Sequence, residues 1–173
     1  MTASTASPDA LRLVIDCASE ACTVALIDGA RVVDARHEVI GRGHAERLVP
    51  LIAELQGGGR AAGILVGCGP GSFAGVRIGV AAARALGLAW GVPVRGFSTP
   101  ALVAAAAAAP IAAAGGAFGV MEGGHGQWFV QPFDADLTRR GPVQSLLPDA
   151  AIANGDALIV GNRAEAFVAR RGF

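Results

Sequence analysis

The residues able to do covalent or metal chemistry are few and scattered. His37, His44 and His125 lack the paired spacing that places two imidazoles on one helix face for a metal. Cys17, Cys22 and Cys68 form no C-x-x-C, and their odd number reads as free thiols of a reducing compartment. Cys17 and Cys22 lie on or beside apolar runs with no histidine near in sequence, the setting of buried structural thiols rather than of nucleophiles. The turn Gly67-Cys68-Gly69-Pro70-Gly71-Ser72 follows a strand-like run and opens a helix, where backbone amides can hold an anion. A phosphate loop of that kind ends in Gly-Lys-Ser/Thr, and this chain has no lysine. The dinucleotide pattern fails as well, because Ser72 stands where its last glycine belongs. Asp16 with Ser19 resembles one phosphate-gripping turn. A second turn has no counterpart, since Gly123-Gly124 falls between strands. No catalytic residue, metal ligand set or cofactor site is assigned, and the glycine-rich turn reads as a device that aims the helix after it.

Positioning elements are easier to read. The 173 residues suit one domain or two small subdomains, and 53% hydrophobic against 16% charged residues can fill a core. Strand-like runs cover residues 11–17, 22–28 and 31–38, with the hairpin signal Asp28-Gly29 between the last two. A helix reads over 43–56, ended by Gly57-Gly58-Gly59. A short buried strand, 64–67, then precedes a long helix to Trp90 with Ser72 as its N-cap. A strand at 92–96 leads to an alanine-rich helix capped by Ser98 and stopped by Pro110. Strands at 117–121, 127–133, 143–147 and 157–160 follow, with a helical turn at 149–154. Asn162 and Glu165 form a capping-box-like start for a last helix, 163–171. The order βββαβα, followed by a weaker βββ(α)βα, reads as a duplicated α/β unit.

Charge and hydropathy exclude several partners. All 14 basic residues are arginines and they balance 14 acids, so the broad basic field of nucleic-acid binding is missing. The most apolar run, 101–114, is shorter than the roughly 20 residues of a spanning helix, and no stretch is expected to cross a membrane. Residues 1–9 lack the basic and apolar regions of a signal peptide, which points to the cytoplasm.

Both long helices carry more apolar surface than one core requires. In the first, Leu51, Leu55, Leu48, Ile52, Ala45, Val49 and Ala53 share an arc of roughly 200°, about twice what packing on one core needs. In the second, the only charges between Ser72 and Trp90 are Arg77 and Arg84, which share a face. Gly75, Ile78, Gly79, Ala82 and Leu86 lie opposite them, a small-and-branched stripe for close packing on a sheet. Phe73, Val80, Ala81 and Leu88 flank the arginines and would stay wet in a monomer. A helix apolar nearly all round is normally buried on both sides, either by a second layer of this same chain or by another protein; on the second reading Leu48, Leu51, Ile52, Phe73, Arg77, Val80, Arg84 and Leu88 are the candidate partner interface.

The string Gly69-Pro70-Gly71-Ser72-Phe73-Ala74-Gly75-Val76-Arg77-Ile78-Gly79 resembles the signature of the TsaB (YeaZ) family of tRNA threonylcarbamoyladenosine biosynthesis proteins, with Ala74 where that family usually has threonine. Ile15-Asp16-Cys17-Ala18-Ser19-Glu20-Ala21-Cys22 is similar to its first strand and turn, and His44-Ala45-Glu46-Arg47-Leu48-Val49-Pro50 to its first helix. The resemblance runs from about Leu11 to Ser98 and then fades: Met121-Glu122-Gly123 stands where the family commonly has Asp-Ala-Arg, and the family's usual C-terminal segment is not seen after Arg163. It implies an actin-like ATPase fold of two ribonuclease-H-like subdomains. The expected division is a tail over 1–10, an N-terminal subdomain over 11–98 and a reduced or truncated C-terminal subdomain over 99–173. It further implies a non-catalytic scaffold that pairs with a TsaD-like catalytic paralogue, works with a TsaE-like ATPase, meets tRNA only through that complex and can form homodimers. The alternative on the same fold is a small-molecule phosphotransferase or ATPase. A peptidase, suggested by older family labels, lacks both a metal pair and an activated nucleophile in this sequence.

Overall fold

The computed structural model describes residues 11–155 and 158–172. The expected tail over 1–10, and Ala157 of the last expected strand, lie outside them. The chain divides into two units, one of residues up to Cys68 together with Ser72–Phe97, the other of Gly69–Gly71 and 98–173.

The first unit is built on β1 (Leu11–Asp16), β2 (Ala21–Asp28), β3 (Arg31–Val39), β4 (Ile64–Gly67) and β5 (Val94–Phe97), in the order β3-β2-β1-β4-β5. The first three form the antiparallel meander that Asp28-Gly29 signals, with Gly29 at φ +58°. β4 and β5 lie parallel to β1 because the long helix α2 (Phe73–Trp90) crosses between them. Period-two alternation sends Leu13, Ile15, Val24, Leu26, Ile64 and Val66 into one core. Helix α1 (His44–Ala53) adds Leu48, Leu51 and Ile52 to it, and Leu55 follows just after the helix. The helix ends at Ala53 with Glu54 as its C-cap, short of the expected Gln56, and Gly57 and Gly58 beyond it are left-handed at φ +63° and +65°.

The second unit holds β6 (Gly116–Glu122), β7 (Trp128–Asp134), β8 (Gln144–Leu146) and β9 (Ile159–Val160), in the order β8-β7-β6-β9. It repeats the meander-plus-parallel-strand arrangement one strand short among the described residues. Both units are the α/β, ribonuclease-H-like units of the actin-like fold, the second reduced. Its helices are α3 (Thr99–Ala106), α4 (Ala108–Ala114), α5 (Pro148–Ala153) and α6 (Ala164–Arg171). Alternate residues of β6 serve two cores. Phe118 and Val120 pack with Trp128, Val130 and Phe167, while Ala117 packs with Ala104, Ile111 and Phe133.

Three sequence expectations need correction. Pro110 does not stop the alanine-rich helix: the break falls at Ala107 (φ −109°, ψ 23°), and Pro110 sits in the first turn of α4. A proline there lacks an N–H that no carbonyl would have accepted, so the break three residues upstream relieves it. The Asn162/Glu165 box does not form, because Asn162 Oδ1 accepts from the Glu122 amide and α6 starts after Arg163 without a side-chain cap. Helix α2, with a mean hydropathy of 1.3 over 18 residues, is long and apolar enough by length and composition to cross a membrane, contrary to the expectation for every stretch. In this fold it packs Gly75, Gly79, Ala83 and Gly87 on the sheet of its own unit.

Candidate protein-interaction surface

The glycine-rich turn launches α2 as its sequence suggests. Ser72 is the N-cap and its Oγ accepts from the Gly75 amide at 3.2 Å, while its own amide donates to Ala18 O at 2.7 Å. Gly91, left-handed at φ +69°, ends the helix. Between these stops, α2 approaches β1 closely enough that a Cβ on Gly75 would overlap the Cys17 carbonyl. Gly87 is similarly tight against the Val94 side chain. Gly79, which the pattern places on the same stripe, meets Cys17, Ile15 and Val66 only at 3.7 Å.

The outer face of α2 is left in solvent. Phe73 is 75% and Leu88 87% exposed, and Ala81, Arg77 and Arg84 are exposed beside them. The Arg77 guanidinium lies 3.3 Å from the Phe73 ring centroid, a cation–π contact at the surface. Val80 is half-buried and packs against the unit's own core, so it lies at the border of this face rather than within it.

Helix α1 departs from the expected interface. Leu48, Leu51 and Ile52, at 1, 0 and 3% exposure, fill the core of their own unit and cannot meet a partner. The reason lies on the opposite flank. Arg47 donates to Glu38 on β3 at 2.7 Å and to Glu54 at 2.7 Å, and Arg36 donates to the Glu54 carbonyl at 2.9 Å. Asp34 accepts from Arg36 and from the Gln56 amide. These contacts hold the Arg47–Glu54 flank against β3, and the guanidinium keeps the Glu38 carboxyl below its ordinary range. Ala45, Val49 and Ala53, on one side of the apolar arc, are left outward, Val49 at 58% exposure.

The described histidines take structural places in their own units. His44 neither caps α1 nor faces outward: it is buried, with Nε2 3.3 Å from Ala21 O, and left-handed Gly43 takes the N-cap position. His37 pairs with Thr23 Oγ1 at 2.8 Å, and His125 sits in the second unit. Among the described residues no three His, Cys, Asp or Glu side chains converge as a metal site would require. The Cys17 and Cys22 sulfurs lie 3.7 Å apart in the core, where burial pushes both thiols up from their ordinary value. In the second unit a cavity of about 380 Å³ is lined by Phe118, Val130, Pro132, Arg140, Gln144 and Asn154 among others, none of them a sequence candidate.

Asp16 and Ser19 close the β1–β2 turn. Asp16 Oδ1 accepts from the Ala18 amide at 2.7 Å, and Ser19 Oγ accepts from the Ala21 amide. The other carboxylate oxygen, Oδ2, is buried over Gly67 without a hydrogen-bond partner. Burial raises the Asp16 pKa, against the weaker opposing effect of the Ala18 amide. An acid whose pKa rises on folding costs nothing at low pH, where both states are protonated. It lowers stability as pH climbs from the unfolded value toward the folded one. Asp16→Asn keeps the acceptor for Ala18 and removes the charge. The variant is expected to melt higher than the wild type at neutral pH, and the difference should shrink to nothing below the ordinary carboxylate range. Melts across the acid range test this; a neutral-pH loss of stability in the variant contradicts it.

Comparison with known proteins places these features in context. The family model described as TsaD, tRNA N6-adenosine threonylcarbamoyltransferase, matches residues 35–162. The tRNA threonylcarbamoyladenosine biosynthesis protein TsaB of Escherichia coli is 40% identical over 92 residues, which are 50% of this chain and 39% of that protein. This chain thus spans about two fifths of that curated relative. YeaZ from Pseudomonas aeruginosa superimposes with a TM-score of 0.77 at 26% identity, covering 95% of this chain and 81% of that one. A second Pseudomonas aeruginosa structure, described as an uncharacterized protein with similarity to peptidase YEAZ, gives 0.70 at 28% identity over 80% of this chain and 67% of its own.

Proposed function

This chain belongs to the TsaB (YeaZ) family, and on that premise we propose that it is a non-catalytic scaffold subunit of the cytoplasmic machinery that builds threonylcarbamoyladenosine at position 37 of tRNA. It docks a TsaD-like catalytic paralogue through the outer face of α2 and works beside a TsaE-like ATPase. The carrying observation is the exposure of Phe73 and Leu88 on one face of a helix whose other face is anchored in its own sheet. Single exposed apolar residues are ordinary, but a run of them along one helix is what protein interfaces cover. The scattered histidines and the missing lysine support the non-catalytic half of the reading. Zero net charge supports tRNA contact through the complex rather than by this chain alone.

Reconstitution tests it. TsaD-like and TsaE-like proteins from the same source, supplied with threonylcarbamoyl donor and tRNA, should modify the tRNA efficiently only when this chain is added, and the chain alone should form no product. Product from the lone chain, or full activity without it, would sink the proposal.

The unpartnered Oδ2 of Asp16 at the end of β1 favours a second reading, an ATPase or phosphotransferase. Calorimetric titration of the lone chain with magnesium–ATP separates the two: micromolar affinity supports the enzyme, and no heat supports the scaffold.

A further inference from the structure

We propose, resting on the reading that the outer face of α2 docks a protein, that the partner presents carboxylates opposite Arg77 and Arg84, and that a second copy of this chain is the poorer occupant. The argument starts from charge. Helix α2 carries no acid over its 18 residues, and its two cations stand two turns apart on one face, about 10 Å along the axis. Among the described residues neither has a carboxylate partner, as is also true of Arg42, Arg60 and Arg95 of the same unit; Arg77 and Arg84 differ in sharing one helix face with the exposed Phe73 and Leu88. The Phe73 ring beneath Arg77 holds that guanidinium at the surface while leaving its N–H groups free to donate. Covering Phe73 and Leu88 with an apolar partner would strip water from both arginines, so the covering surface must supply acceptors.

A two-fold pair of identical chains would bring both copies of Arg77 and Arg84 to one patch with no acid from either α2, which like-charge repulsion opposes. A nucleic acid would supply phosphates, but the arginines are flanked by Phe73, Ala81 and Leu88, and the chain has no net positive field. An apolar surface bearing two carboxylates at the spacing of two helical turns fits both features.

Calorimetry of the full chain with the purified TsaD-type protein, at low and at physiological salt, provides the test. Three double variants are compared: Arg77→Glu/Arg84→Glu, Arg77→Gln/Arg84→Gln and Phe73→Ser/Leu88→Ser. All change exposed side chains, and thermal melts check that each folds. The glutamate pair should weaken binding by roughly a hundredfold, the glutamine pair by roughly tenfold, and wild-type binding should fall with salt. If the arginine variants bind normally while the serine pair does not, the carboxylate inference fails and the docking face stands. If the serine pair also binds normally, the docking face itself is misassigned. Sedimentation of the lone chain supplies another arm: a wild-type dimer that the glutamate pair dissociates would make a second copy the occupant and overturn the proposal. A gel shift of tRNA by the lone chain at physiological salt, lost in the glutamate pair, would overturn it in favour of nucleic acid.

Discussion

Gly75→Val is expected to destabilise the first unit by about 3 kcal/mol, near the top of the range for overpacking a tight contact. For a chain of this size the melting temperature should fall by about 6–12 °C. The obstacle is backbone, the Cys17 carbonyl at the end of β1, and a carbonyl fixed beside the sheet cannot swing aside as a side chain would. Relief requires α2 to move away from β1, which would break the Ser72 amide contact to Ala18 and the packing of Gly79 on Ile15 and Val66. Gly79→Ala is the control. Its added methyl meets ordinary contacts at 3.7 Å, and alanine is the better helix former by about 1 kcal/mol. That variant should melt at or above the wild type. Thermal melts of the pair decide the matter, and equal losses would mean that the helix does not approach the strand as described.

Phe73→Ser/Leu88→Ser is expected to do the opposite. The folded chain leaves both side chains in solvent, so the melting temperature should change little. Association with a TsaD-type partner should fall about a hundredfold or more, since aromatic and aliphatic anchors at an interface centre carry most of its energy. A large stability loss with binding intact would place these residues in this chain's own packing.

The two experiments bracket what could be read from the residues. The strands and α2 were legible because alternation, the Asp28-Gly29 turn and the Ser72 cap are local signals, and each fixes its element without knowledge of the rest. The stripe through Gly75 and Gly79 was legible as a packing face. Periodicity could not rank the two glycines, because their difference lies in a carbonyl on another element. The same limit explains α1. An apolar arc of roughly 200° says that part of it is surplus to one core, but not which part. The ion pairs of Arg47 with Glu38 and Glu54 decide that, by holding one flank to β3, so that Leu48, Leu51 and Ile52 turn inward and Val49 outward. Pro110 misled for a related reason: a proline can stop a helix or sit in the first turn of one, and only the break at Ala107 chooses between them.

Pairs such as Arg47–Glu38 are exposed and contribute little to stability singly. Their part here is orientation, and orientation decides which apolar residues of α1 stay in solvent. The chemistry of the site follows from the same geometry. Helix α2 is held down by glycines on one side and leaves Phe73 and Leu88 in solvent on the other.

Hydroxyl-radical footprinting, read by mass spectrometry on the chain alone and mixed with the TsaD-type protein, bears most directly on the docking claim. Phe73 and Leu88 are reactive side chains exposed on α2, while Leu147 and Val168 are exposed in the second unit and serve as internal references. The account requires oxidation of Phe73 and Leu88 to drop several-fold in the mixture while Leu147 and Val168 stay unchanged. Protection of Leu147 and Val168 with Phe73 and Leu88 still fully oxidised would contradict it.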